Sequence, residues 1–229
     1  MIKKVFFDVG GTLITPHPSV AAVYKKFGEG FGLTATEDQL NQAFRSAWPR
    51  HEGFGKPASN RLSHDSESIK NRWKLLVEDV FGQVRFHGDR DECFLALYHA
   101  FERPDVWKIY PDVLPVIDAL RKQGLALGII SNWDARLRPL LGELDLEKYF
   151  ESIVISCEVG IEKPKSEIFE AARADCKCSF TEMIYVGDQP EFDVVAPKKL
   201  GMQAFLIDRD KKSSLPERLD SLLDIIRKI

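Results

Sequence analysis

The chain has 229 residues, 44% hydrophobic and 29% charged, with a formal net charge of -3. That balance supplies ample core material and argues against a nucleic-acid surface, which is normally basic. No run reaches the ~18 apolar residues that cross a bilayer, so no membrane partner is expected. Cys93, Cys157, Cys176 and Cys178 have the spacing of neither a disulfide framework nor a zinc site, so a reducing cytoplasmic setting is expected. Met1-Ile-Lys-Lys leads directly into an apolar run, leaving no room for a signal peptide.

The first predicted element is a short buried strand, Val5-Phe6-Phe7, which runs into one carboxylate, Asp8, and then Val9-Gly10-Gly11-Thr12. Asp and Gly are ordinary turn residues, and a turn is the bland reading of this stretch. A carboxylate at the end of a buried strand is costly, however, unless it binds a cation, finds a partner or does chemistry.

Residues 16–106 show helical spacing and no convincing strand: Val20, Tyr24, Phe27 and Phe31; Leu40, Phe44 and Trp48; Ile69, Trp73, Leu76, Val77 and Val80; Phe94, Leu97, Tyr98 and Phe101. The polar stretch Pro49 to Ser66 reads as a long loop. These aromatic stripes read as helix-packing core rather than as a ligand box.

From residue 107 helices alternate with buried strands. Val113 to Leu120 predicts a helix that Gly124 closes, and Leu125 to Ile130 a strand covered on both faces. Strands follow at 153–155, 183–186 and 204–207, with helices over 166–175 and 194–200. Leu219, Leu222, Leu223 and Ile226 predict a closing amphipathic helix. This alternation implies an α/β fold, with a parallel sheet and right-handed crossovers. The domains expected are therefore 1–15 with 107–229 as the core, and 16–106 as an inserted helical domain.

Open parallel sheets bind ligands beyond the carboxyl ends of their strands. Four strands here deliver polar residues to that edge: Asp8; Ser131-Asn132; Glu158-Val-Gly-Ile-Glu-Lys163-Pro-Lys165; and Gly187-Asp188 with Asp193. Each is weak alone, since Ser-Asn caps helices and Lys-Pro and Gly-Asp make turns. Their order and their chemistry converge. Asp8 and Asp188 are oxygen ligands suited to Mg²⁺. The Ser131 hydroxyl and the Asn132 backbone N–H can donate to phosphate, and Lys163 adds a positive charge. A phosphoryl group held there would face Asp8, and carboxylates do accept phosphoryl groups as aspartyl-phosphates.

This constellation resembles the haloacid dehalogenase-like (HAD) hydrolase superfamily along the whole chain. Asp8 is similar to its nucleophile motif, Ser131 to its second, Lys163 to its third, and Gly187-Asp188 with Asp193 to its acidic fourth. The insertion after the first motif looks like that superfamily's helical C1 cap. The long cap and the Glu158–Pro164 segment look most like the branch of hydrolase domain-containing protein 3. The resemblance implies a Rossmann-like core and Mg²⁺-dependent hydrolysis of a small phosphorylated metabolite, with Asp8 and Lys163 as the catalytic residues. It also implies phosphate contacts from Ser131, Asn132, Lys163 and Gly11, and metal binding by Asp8, the Gly10 carbonyl, Asp188 and Asp193.

The match breaks at Gly10. Phosphatases of the superfamily carry there a second Asp, the general acid and base, whereas glycine has no proton to give. Such a group is typically worth about 10²–10⁴-fold. Three readings follow: a phosphatase for good leaving groups, or one that borrows an acid from His17, His51 or His64; a different hydrolytic chemistry, dehalogenase-like or phosphonatase-like, the latter needing Lys25, Lys26 or Lys56 for a Schiff base; or a phosphate-metabolite-binding or interaction module. The first ranks highest because every other position of the constellation holds its expected residue.

Overall fold

A computed structural model describes residues 1–51 and 65–229. Most of the Pro49–Ser66 stretch, with the candidates Lys56 and His64, lies outside the described residues. The chain divides into two compact units, Met1–Thr15 with Ile109–Ile229 and, between them in sequence, Pro16–Lys108. β1 (Lys4–Phe7) opens the first unit, and β2 (Ile14–Pro16) and β3 (Trp107–Ile109) form a two-stranded sheet where the chain passes from one unit to the other.

The middle unit is helical: α1 (Val20–Gly28), α2 (Glu37–Ala47), α3 (Ser66–Gln83) and α4 (Arg90–Ala100). Each begins at a side-chain cap. Ser19, Thr36, Asp65 and Asp89 accept from backbone N–H groups that the first turn would otherwise leave without a partner. The apolar stripes meet in one core in which Tyr24, Leu40, Leu76, Val80, Phe81, Phe86 and Leu97 are buried. Phe44, Trp48, Trp73 and Phe101 pack around it.

The other unit is α/β. Its sheet has the order β5–β4–β1–β6–β7–β8, formed by β4 (Ala126–Ser131), β5 (Ser152–Ile155), β6 (Met183–Gly187), β7 (Gln203–Ile207), β8 (Arg218–Leu219) and the central β1. Every neighbouring pair is parallel. The connections carry α5 (Val113–Lys122), α6 (Leu137–Glu143), α7 (Ser156–Val159), α8 (Ser166–Cys176) and α9 (Ala196–Lys199). β1 pairs with β4 on one side and β6 on the other, with Phe7 level with Ile129 and Val186. The chain order reverses about β1, which makes the ends of β1, β4 and β6 the sheet's topological switch point.

Two predicted helices take other forms. The segment near 194–200 begins as a π-helical turn, Pro190–Val195, before α9. The closing segment is β8 followed by a 3₁₀ helix, Leu222–Arg227. With three residues per turn, Leu222 and Ile225 share the buried face and Leu223 is exposed, whereas a 3.6-residue period pairs Leu222 with Ile226. No described helix is long and apolar enough to cross a membrane, and all four cysteines are free.

Candidate active site

The strand register brings the sequence signals together. Asp8 follows the last residue of β1, Ser131 ends β4, and Asp188 follows β6. The Ser131 hydroxyl donates to Asp8 Oδ1 at 2.8 Å, and the Lys163 ammonium donates to the same oxygen at 2.9 Å. Among the described residues these bonds leave Oδ2 of Asp8 unencumbered. Lys163 is buried, and its remaining protons go to Asp193 Oδ1 at 2.7 Å and to the Tyr185 hydroxyl at 2.9 Å. All three ammonium donors are therefore engaged.

Tyr185, from the middle of β6, donates a hydrogen bond from its hydroxyl to the Ile130 carbonyl at 2.6 Å. Asp193 returns to the site because the π-helical turn folds its carboxylate back, where Oδ2 accepts from the Gln189 N–H at 2.9 Å. Gly187 makes this approach possible, since a Cβ there would lie 2.3 Å from the Asp193 carboxyl carbon.

Oxygens of Asp8, Asp188 and Asp193 lie within 4.8 Å of one another. One lysine cannot neutralise three carboxylates, and the imbalance is legible at Asp188 and Asp193. Burial, then the charges of Asp8 and Asp193, drive the Asp188 carboxyl well above the usual range. Burial also raises Asp193, against the partial opposition of Lys163. Burial lowers Lys163, but the Asp193 and Asp8 charges outweigh it and hold the ammonium protonated. Among the described residues, Oδ1 of Asp188 is buried without a hydrogen-bond partner. An oxygen-rich cluster with excess negative charge and an orphaned carboxylate oxygen fits a hard divalent cation such as Mg²⁺.

Two residues expected at the phosphate also carry structural contacts. The Gly11 N–H donates to the Ile14 carbonyl at 2.9 Å. What position 11 requires is the absence of a side chain: its φ is +72°, and a Cβ would lie 2.5 Å from Asp188 Oδ2. The Asn132 side chain, as distinct from the backbone N–H expected at the phosphate, has a structural part. Its Nδ2 donates to the Lys163 carbonyl at 2.9 Å and its Oδ1 accepts from the Lys163 N–H at 2.7 Å, which fixes the backbone that carries the lysine.

Sequence reasoning missed Tyr185, Arg209 and Asp112. Arg209 donates to the Thr12 carbonyl at 2.6 Å and the Gly11 carbonyl at 3.4 Å, its guanidinium carbon sits 3.5 Å from the Tyr110 ring centroid, and Asp112 grips it with both oxygens. It therefore holds the loop after Asp8 from behind. The signal available for Tyr185 was its hydroxyl inside an apolar strand, which needs a buried partner. Arg209 and Asp112 carried no local signal.

The remaining candidates lie in the helical unit. His51 Nε2 is 3.0 Å from Asp79 Oδ2, Lys25 pairs with Glu29 at 3.9 Å, Lys26 lies over the Phe27 ring, and His17 is exposed.

Comparison with known proteins identifies the family and the fold. The family model described as haloacid dehalogenase-like hydrolase matches residues 2–201. A zebrafish (Danio rerio) protein, haloacid dehalogenase-like hydrolase domain-containing protein 3, is 29% identical over 91% of this chain and 86% of its own length. Glyceraldehyde 3-phosphate phosphatase of Methanopyrus kandleri is 31% identical, covering 100% of this chain and 99% of its own. The crystal structure of a HAD phosphatase from Thermococcus onnurineus superposes with a TM-score of 0.67 at 24% identity, over 99% of this chain and 97% of that one. This chain therefore belongs to the haloacid dehalogenase-like hydrolase family.

Proposed function

We propose that this hydrolase is a Mg²⁺-dependent phosphatase that acts on a small phosphorylated metabolite through an aspartyl-phosphate at Asp8. The observation that carries the reading is the asymmetry of the Asp8 carboxylate: Ser131 and Lys163 both hold Oδ1, leaving Oδ2 to attack phosphorus. Asp8, Asp188, Asp193 and the Gly10 carbonyl would hold the metal. When bound, Mg²⁺ supplies charge neutralisation for the phosphoryl oxygens.

Lys163 fixes Asp8 and Asp193 and keeps a positive charge beside the attacked group. Ser131 orients the nucleophile, and Asn132 positions Lys163. Catalysis of this kind rests on positioning and electrostatics. The name of the Methanopyrus relative supports phosphate-ester hydrolysis. The helical unit serves as the cap that selects the substrate, and the four free cysteines suit a reducing cytoplasm.

The test is turnover of an aryl phosphate with and without Mg²⁺, for the wild type and Asp8→Asn. Activity that needs the metal and falls at least about 10³-fold in the variant is expected from losing the nucleophile. Equal inertness of the two proteins in Mg²⁺ sinks the reading. Gly10 favours a second one, binding of a phosphorylated metabolite without turnover. Sub-micromolar affinity with no product would select it.

A further inference from the structure

The space beside Gly10 is occupied. A Cβ built on this glycine would lie 3.2 Å from Cζ3 and 3.8 Å from Cη2 of Trp133, so any side chain here starts against the benzo edge of the indole. Trp133 follows Ser131-Asn132, and its backbone is pinned to the turn after β5. Its N–H donates to Ser156 Oγ at 3.0 Å, and its carbonyl accepts from Ser156 Oγ at 3.1 Å and from the Cys157 N–H at 3.3 Å. Ser156 is itself buried. The root of the tryptophan is thus fixed, and its ring borders the position from which related phosphatases project an acid.

We propose that Trp133 is a specificity-determining residue, an aromatic wall that replaces the missing acid and selects phosphate esters with planar, weakly basic leaving groups, aryl or enol. The proposal rests on the phosphatase reading of Asp8. Asp8 Oδ2 forms the bond to phosphorus as the ester P–O bond breaks, and the electron pair departs with the ester oxygen as an aryloxide or enolate. That anion takes its proton from water. A second water cleaves the acyl phosphate, releasing inorganic phosphate and the Asp8 carboxylate. The carbon edge of an indole donates no proton to the leaving oxygen, so only a leaving group stable as an anion departs readily. The same edge offers a flat leaving group a favourable aromatic contact.

Binding and turnover test this separately. With Asp8→Asn in Mg²⁺, calorimetry compares phenyl phosphate with its saturated counterpart, cyclohexyl phosphate. The aromatic contact predicts about 3- to 10-fold tighter binding of the phenyl ester, retained in Trp133→Phe and erased in Trp133→Leu. No preference, or one that survives Trp133→Leu, overturns the wall.

In the active protein, Gly10→Asp alone should gain little on cyclohexyl phosphate. Combined with Trp133→Leu it should recover a substantial part of the about 10²–10⁴-fold that a general acid supplies. A full gain from Gly10→Asp alone overturns the proposal even if the leucine variant does not fold. If turnover is absent throughout while the phenyl preference behaves as expected, the phosphatase reading fails and the aromatic contact stands.

Discussion

The two units of this chain fill their interiors with different chemistry. In the α/β unit Asp8, Thr12, Ser131, Asp134, Glu162, Lys163 and Asp193 are all buried; in the helical unit Arg72 is the buried charged residue among the described residues. The helical interior is instead aromatic and aliphatic, with Phe81 and Phe86 at 4.7 Å between ring centroids and Tyr24 edge-on to Phe44 and Phe101. Buried polar groups are expensive unless each has a partner. Their concentration beyond the ends of β1, β4, β5 and β6 therefore sets the candidate site apart from the rest of the molecule. An apolar bundle can change its outer residues without touching that cluster.

The largest expected effect that could break this comparison comes from Lys163→Met. It leaves Asp8 and Asp193 buried without their cation, and breaking such a pair costs about 3–5 kcal/mol. Denaturant titration should show that loss, and millimolar Mg²⁺ should restore part of it. Unchanged stability would mean that the buried charges are not interdependent.

Phe81→Ala should cost roughly 3 kcal/mol or more, because Phe81 is fully buried in the helical core. The folded fraction should keep its Mg²⁺ affinity, measured by calorimetry; a weakened metal site would erase the distinction between the units.

Asp112→Asn sharpens the comparison at the loop behind Asp8. Burial raises the Asp112 carboxyl, but the Arg209 hydrogen bonds and the Leu222 N–H outweigh it, and its pKa lies below the ordinary value. A group depressed in the native state stabilises fully above its unfolded pKa of about 3.9, and the contribution fades as pH falls through the lower native value. The asparagine variant should therefore lose about 1–3 kcal/mol at neutral pH and show a flatter decline in acid. Parallel acid profiles for the two proteins would count against the Arg209 pairing.

Arg50→Ala should have the smallest effect. Its bidentate pair with Asp79 lies on the half-exposed surface of the helical unit, so under about 1 kcal/mol is expected in thermal unfolding.

Much of the α/β unit is legible in the sequence. Val5-Phe6-Phe7, Ala126–Ile130 and Met183–Val186 are apolar because both faces of a parallel strand are covered, and the polar residue after each is therefore conspicuous. The helical stripes were equally plain. The closing segment was misread because Leu219, Leu222 and Ile226 fit a 3.6-residue period, while the Ser221–Asp224 capping box starts a tighter 3₁₀ turn. Tyr185 was hidden by its apolar neighbours. Trp133 follows the Ser131-Asn132 pair with nothing in the sequence to single it out.

By itself, the sequence determined the fold class, the family and the four strand-end signals. These depend on local periodicity and on residue type next to a buried run, which a linear reading captures. Tertiary structure alone decided which oxygen of Asp8 is held and which is left open, and that Gly11 serves Asp188 by lacking a side chain. It alone set the Trp133 indole against Gly10. Those facts concern groups more than 100 residues apart in the chain, such as the Ser131 hydroxyl and Asp8 at |i−j| = 123. Only the pairing of β1 with β4 and β6 brings them to one edge.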